Sequence, residues 1–263
     1  MSKHLLAAAM LVALAPLAHA QESYSPFDNF SASQIDPARW LGSERIRAIK
    51  SNALSLMMRD FGDQVSNSGA RRFTWSVSFD EPARIKQMRA YLTVKDLAVN
   101  SCPGNASAGL VNTRVIGGFF NAGAPLPGNQ TNDVIGQVTL TRRSDTADAA
   151  GVLRVGGSVF LCGNIDCSTG TSLGSVDLGS TVVGTQVRLS VEWDQATKRF
   201  QFTRDTGSPL VVTYAVADGQ APGVPFKSLQ LRTEIPNCMA GARQEGMLDA
   251  VFDYVQVNAS GTP

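Results

Sequence analysis

Histidine is nearly missing from this chain: its 2 histidines, His4 and His19, both fall within the first twenty residues. Those residues read as an export leader, with Lys3 opening a basic start, LLAAAMLVALAPLA as the apolar stretch and Ala18-His19-Ala20 as a small-x-small cleavage site. A chain cut there begins at Gln21 and has no imidazole, which excludes Ser-His-Asp and Cys-His catalysis and any histidine-ligated zinc. Charge of either sign is also scarce. The chain has 23 Lys+Arg against 22 Asp+Glu, and loss of Lys3 leaves the two equal. A balance near zero supplies no basic face, so nucleic acid is not expected as a partner. After the leader no apolar run approaches the ~20 residues of a membrane span. No cysteine stands at the cut, which argues against a lipoprotein. The short Ala-rich leader looks bacterial, so the expected location is periplasmic or secreted.

Convincing helices are lacking as well, and no repeat of 20–50 residues is visible, which argues against solenoids and propellers. More than ten short alternating stretches take their place, separated by turn chemistry. The clearest is TQVRLSVEWDQATKRFQFTRD, residues 185–205. Leu189, Val191 and Trp193 share one side of its first strand, and Phe200 and Phe202 resume that side after a polar turn. Residues 72–79 alternate in the same way, with Phe73, Trp75, Val77 and Phe79 on one side. Ser51-Asn52 has the form of a hairpin turn. Residues 227–235 alternate strictly, with Leu229, Leu231, Thr233 and Ile235 opposite Ser228, Gln230, Arg232 and Glu234. The expected architecture is all-β: an antiparallel two-sheet jelly-roll β-sandwich over residues 21–263, with residues 258–263 as a frayed tail.

The 4 cysteines form an even set in an exported chain. Cys162 and Cys167 flank a short polar turn and are placed to clip a hairpin tip. Cys102 and Cys238 then pair by elimination. A zinc site built from all four is the rival arrangement.

A hydrophobic FDNF near the mature start, the RLSVEWDQATKRFQF hairpin and a closing AVFDYVQV resemble the concanavalin A-like lectin/glucanase jelly roll, including its laminin-G-type members. That resemblance implies that the first and last strands lie together in one sheet and the VEWD hairpin in the other. The family-16 hydrolases of that superfamily carry a Glu-x-Asp-x-Glu strand, which is absent here, so no catalytic residue is carried over from them.

A glycosidase needs two carboxylates at a set separation. Glu192 and Glu234, each on the polar side of a well-patterned strand, are the candidates, against the plainer account of two solvated charges. Gln230, Arg232 and Glu234 share a side and suit sugar hydroxyls or a uronate carboxylate, or else form a cross-strand ladder. All four are expected on the concave side. Tyr91, beside Arg89, is a candidate for stacking on a sugar ring. Asp28, Asn29 and Asp253 could hold a structural calcium if the terminal strands pair, the alternative being turn bonding; no other cofactor is expected. The chain is expected to bind a glycan or surface polymer without catalysis. A carboxylate-based polysaccharide hydrolase or lyase, and a structural or adhesive protein-binding module, are the alternatives.

Overall fold

The computed structural model describes residues 23–29, 31, 40–41, 47–240 and 244–262; the expected leader, residues 1–20, lies outside them. Among the described residues fifteen strands follow in order: β1 (Tyr24–Asp28), β2 (Trp40–Leu41), β3 (Arg47–Lys50), β4 (Ala53–Phe61), β5 (Ala70–Phe79), β6 (Gln87–Val99), β7 (Leu110–Asn121), β8 (Asp133–Arg143), β9 (Val152–Cys162), β10 (Gly170–Val182), β11 (Gln186–Asp194), β12 (Arg199–Arg204), β13 (Leu210–Thr213), β14 (Lys227–Pro236) and β15 (Glu245–Asn258). An eight-stranded sheet runs β13-β12-β11-β6-β15-β4-β3, with β1 added on β15, and a seven-stranded sheet runs β10-β9-β8-β7-β14-β5-β2. All pairings are antiparallel, and the two sheets stack as a jelly-roll sandwich.

Alternation explains the layer between them. Leu54, Leu56, Met88, Ala90, Leu92, Val187, Leu189, Val191 and Phe252 point inward from the larger sheet and meet Val77, Val111, Val115, Val138, Leu140, Leu229 and Leu231 from the smaller. Phe200 and Phe202 of β12 reach across to the facing sheet, where two glycines receive them. A Cβ on Gly136 would stand 2.8 Å from the Phe200 ring, and one on Gly157 2.3 Å from Phe202 Cγ. The Ser51-Asn52 turn joins β3 to β4 with both residues at positive φ, 52° and 62°, the geometry of a tight hairpin.

The hairpin β11–β12 pairs as its alternation requires, Val191 opposite Phe202 and Trp193 opposite Phe200. It does not lie in the sheet opposite the terminal strands, as the resemblance implied. β11 pairs with β6 over Gln186–Glu192, and β6 pairs with β15, so hairpin and termini share the eight-stranded sheet. Either inner face would accept an alternating hairpin. The choice is made by β6, whose Met88, Ala90 and Leu92 stand in register with Val191, Leu189 and Val187.

The expected frayed tail is also corrected. Asn258 pairs with Tyr24 and is buried; its Oδ1 accepts from the backbone N–H of Lys86 at 2.7 Å and of Gln87 at 3.1 Å, and its Nδ2 donates to Arg84 O at 3.0 Å. A short 3-10 turn, Ala259–Gly261, follows directly on β15. Disulfides join Cys162 to Cys167 at the β9–β10 hairpin tip and Cys102 to Cys238 between the loops that follow β6 and β14.

Candidate functional site

Because Leu229 and Leu231 point into the core, Ser228, Gln230, Arg232 and Glu234 point out of the seven-stranded sheet. Cross-strand register adds Ser76, Thr74 and Arg72 from β5, Ile116, Arg114 and Asn112 from β7, Gln137, Thr139 and Thr141 from β8, and Ser158 and Arg154 from β9. No further strand layer covers this face among the described residues, yet its middle is buried: Arg114 is 8% exposed and Asn112 5%. Curvature supplies that burial. Arg72 and Arg232 line the same cavity as Ser158, Phe160 and Ser172, a space of about 330 Å³, although β7 and β8 lie between them. On a flat sheet β14 and β9 would stand ~14 Å apart, three strand spacings. The sheet is therefore concave on this side, with β7 and β8 as its floor.

The floor is tied together by hydrogen bonds. Arg114 Nε donates to Gln230 Oε1 at 2.9 Å and its Nη1 to Gln137 Oε1 at 3.0 Å. Gln230 Nε2 donates to Ser228 Oγ at 2.8 Å, and Gln137 Nε2 to Ser158 Oγ at 3.1 Å. A continuous ladder thus crosses β14, β7, β8 and β9. Apolar side chains finish one end, where Ile116 and Ile135 pack with Phe160, Phe226 and the Cys162–Cys167 bridge.

Positive charge collects here. Glu234 accepts from Arg232 Nη2 at 2.5 Å and lies 3.7 Å from Arg72 Nη2, so one carboxylate serves two guanidiniums. Arg114 has amide oxygens as partners and no carboxylate. Its burial, then the nearby Arg232 and Arg72, push its pKa down to about 9, so it remains a cation at neutral pH. Burial and then Arg72 also lower Arg232, while Glu234 opposes them. Two buried polar atoms of this face have no hydrogen-bond partner, Arg232 Nε and Asn112 Oδ1.

The structure therefore brings together three of the residues singled out in the sequence, Gln230, Arg232 and Glu234, on the concave side. It separates Glu192 from them. Glu192 lies on β11 in the other sheet and faces outward there, accepting a hydrogen bond from the Tyr24 hydroxyl, whose pKa is raised by burial and then by Glu192. The expectation of one face bearing all four side chains is corrected, because alternation assigns sides within a strand and leaves the sheet undetermined. Tyr91 is on that same outer face of the eight-stranded sheet, its ring 6.4 Å from Tyr254. Among the calcium candidates, Asp28 pairs with Val255, Asp253 pairs with Tyr91, and Asn29 Oδ1 accepts from Ser31 N–H at 3.0 Å as a turn bond. Among the described residues no three His, Cys, Asp or Glu side chains gather to hold a metal.

Sequence reading missed Arg114, Asn112, Gln137 and Phe160. Asn112 and Arg114 alternate with Val111, Thr113 and Val115, a signal open to parity counting, but burial of an outward arginine comes from sheet curvature, which has no local signature. Lys227 was missed too. It shares the inward side with Leu229 and Leu231, lies across Gly117, and is 2% exposed. Its Nζ donates to Gly118 O and Pro82 O and sits 4.4 Å from the centre of the Phe119 ring. Burial pushes its pKa down to about 7. A second cavity of about 200 Å³ opens beside it, lined also by Trp193, Gln195 and Asp218.

No family model and no curated sequence matches this chain. Solved structures do match it. One, from a study of endo-acting O-glycanases that prominent members of the human gut microbiota express to initiate mucin breakdown, aligns over 90% of this chain and 98% of its own at 11% identity and a TM-score of 0.50. The catalytic domain of an endo-1,3-beta-glucanase (laminarinase) from Thermotoga petrophila RKU-1 aligns over 90% of this chain and 98% of its own at 13% identity and a TM-score of 0.44. The exoplasmic/lumenal domain of VIP36 aligns over 83% and 84% at 9% identity and a TM-score of 0.35. Likeness at such identity speaks to fold alone, an antiparallel two-sheet jelly roll.

Proposed function

We propose that this protein is exported and binds a glycan, without cleaving it, along the concave face of the seven-stranded sheet. The observation that carries the reading is the hydrogen-bonded floor Ser228–Gln230–Arg114–Gln137–Ser158, which fixes the polar groups beneath a cavity lined by Ser158, Arg72, Arg232 and the apolar surface of Phe160. Sugars need both features, polar groups in set directions for hydroxyls and an apolar plate for the C–H face of the ring. Proteins of this fold whose names speak of glycan cleavage are among the structural matches, which agrees with the reading. Gln230, Arg232 and Glu234 are its binding residues, joined by Arg72, Asn112, Arg114 and Phe160; Tyr91 is not.

Non-catalytic binding is favoured by the placement of carboxylates. Asp145 and Asp148, toward the end of the floor where Glu234 lies, are held in paired bonds by Arg143 and Arg154 respectively. Along the floor itself Glu234 stands at one end of β7, opposite Leu110, and Asp133 at the other, opposite Asn121. Eleven residues separate those positions along β7, roughly 36 Å at ~3.3 Å per residue, against the ~5–10 Å that paired glycosidase carboxylates need. Asp133 is in any case fully buried and accepts from Asn121 Nδ2, Gly223 N and Val224 N at 2.7–3.0 Å. Two disulfides suit an oxidising compartment, whether periplasm or medium, and no described helix is long and apolar enough to cross a membrane. A glycan array followed by reducing-end assay of each retained glycan tests the reading. Retention without new reducing ends is the expected result; release of reducing ends, abolished by Glu234→Gln, would replace it with a hydrolase.

A further inference from the structure

We propose that the glycan is acidic, and that a carboxylate or sulfate on its sugars seats against Arg72 and Arg232, with the buried charge of Arg114 close by. This rests on the concave-face reading above and adds the class of ligand to it. The neighbouring arginines show what is special about the three. Arg143 is matched by Asp145 and Arg154 by Asp148, each through paired hydrogen bonds, so those sites are neutral. On the floor, three guanidiniums stand beside one carboxylate, that of Glu234, which touches Arg232 and Arg72 and not Arg114. Arg114, the most deeply buried of the three, is held only by the amide oxygens of Gln230 and Gln137. Amide oxygens orient a guanidinium and leave its charge intact. Arg72 and Arg232 line the cavity while Arg114 lies buried beside them without a counter-ion, and an anion seated on the two lining guanidiniums offsets the charge of all three.

The cavity makes the ligand more than a bare anion. Arg72 and Arg232 line it together with Ser158, Phe160 and Ser172, so an acidic group can meet the guanidiniums while the sugar ring lies against Phe160 and its hydroxyls meet the serines. A free phosphate or sulfate ion has no ring face for Phe160. Nucleic acid would supply phosphate, but the chain's equal numbers of acids and bases give no extended basic surface for it.

Binding measured by calorimetry against alginate, a sulfated carrageenan, its desulfated form and neutral laminarin tests the inference. Binding of alginate, of carrageenan or of both at least tenfold tighter than of the uncharged polymers is expected, weakening as salt rises; which of the two binds tells carboxylate from sulfate. Arg232→Gln, at a partly exposed position on the outward side of β14, should lose that preference. Glu234→Gln should raise the preference for acidic over uncharged polymers severalfold, because it removes the carboxylate that competes for Arg72 and Arg232 while any hydroxyl contact it makes is lost to both. Equal affinity for carrageenan and its desulfated form, and for alginate and laminarin, would overturn the acidic ligand while leaving glycan binding intact. Failure of a folded protein to bind any glycan would overturn both. Retention of a polynucleotide as tightly as the acidic glycans would overturn the inference in favour of a general anion site.

Discussion

Replacing Lys227 with methionine isolates the effect of one buried cation on stability. The side chain starts on the apolar side of β14, runs over Gly117 and ends against two carbonyl oxygens and the Phe119 ring; Asp218, which lines the adjoining cavity with it, accepts from the Tyr214 hydroxyl. Burial lowers its pKa from 10.5 to about 7 in the folded chain. Between those values the unfolded chain holds a proton that the folded chain has released, so stability rises with pH across the window. Below pH 7 both states are protonated and the penalty is complete. At ~1.4 kcal/mol per unit the whole window is worth about 5 kcal/mol, and the step from pH 7 to pH 9 about 2–3 kcal/mol. Urea unfolding of the oxidised protein at half-unit pH steps should show that rise in the parent. It should be missing from Lys227→Met, since every other titration is common to both. Methionine leaves the carbonyls of Gly118 and Pro82 without their donor, which shifts its curve by a constant at high pH without restoring a slope. Parallel profiles for the two proteins between pH 7 and pH 9 would refute the reasoning and show that Nζ is hydrated in the folded state.

Gly157→Ala should destabilise by about 1–3 kcal/mol, read as a lower urea midpoint, because the new methyl group would stand 2.3 Å from Phe202 Cγ in a filled core. Restoration by Phe202→Leu in the same background would tie the loss to that contact. Asn258→Ala should cost about 2–4 kcal/mol by the same assay, since it strands the N–H groups of Lys86 and Gln87 together with Arg84 O. A cost under ~0.5 kcal/mol would mean that the tail is loose in solution.

Much of this architecture was legible in alternation. The β11–β12 hairpin, the Ser51-Asn52 turn and the outward side of Gln230, Arg232 and Glu234 all follow from a period of two and from turn chemistry. Partner choice was not legible. Strands β6 and β15, or β7 and β14, meet across more than a hundred residues, and many apolar alternations would satisfy the same inner face. That is why Glu192 was grouped with residues of the opposite sheet. Arg114 escaped for a different reason: its burial is a property of a curved sheet, and no window of sequence around VNTRVIGG encodes curvature. Lys227 was within reach, since counting by twos back from Leu231 puts a lysine in the core.

Pairing of Tyr24 with Asn258 leaves the two described ends of the chain side by side on the eight-stranded sheet, with the trough on the opposite sheet. A short linker could join them and new ends be opened in the exposed turn at 144–151 without removing a ladder. A fusion partner or surface tether attached beyond Tyr24 or Asn258 would leave from the sheet opposite the trough. The protein can thus be anchored to a bead or sensor with its arginine-lined side turned to solution, an orientation that comes from topology and requires no redesign of the binding face.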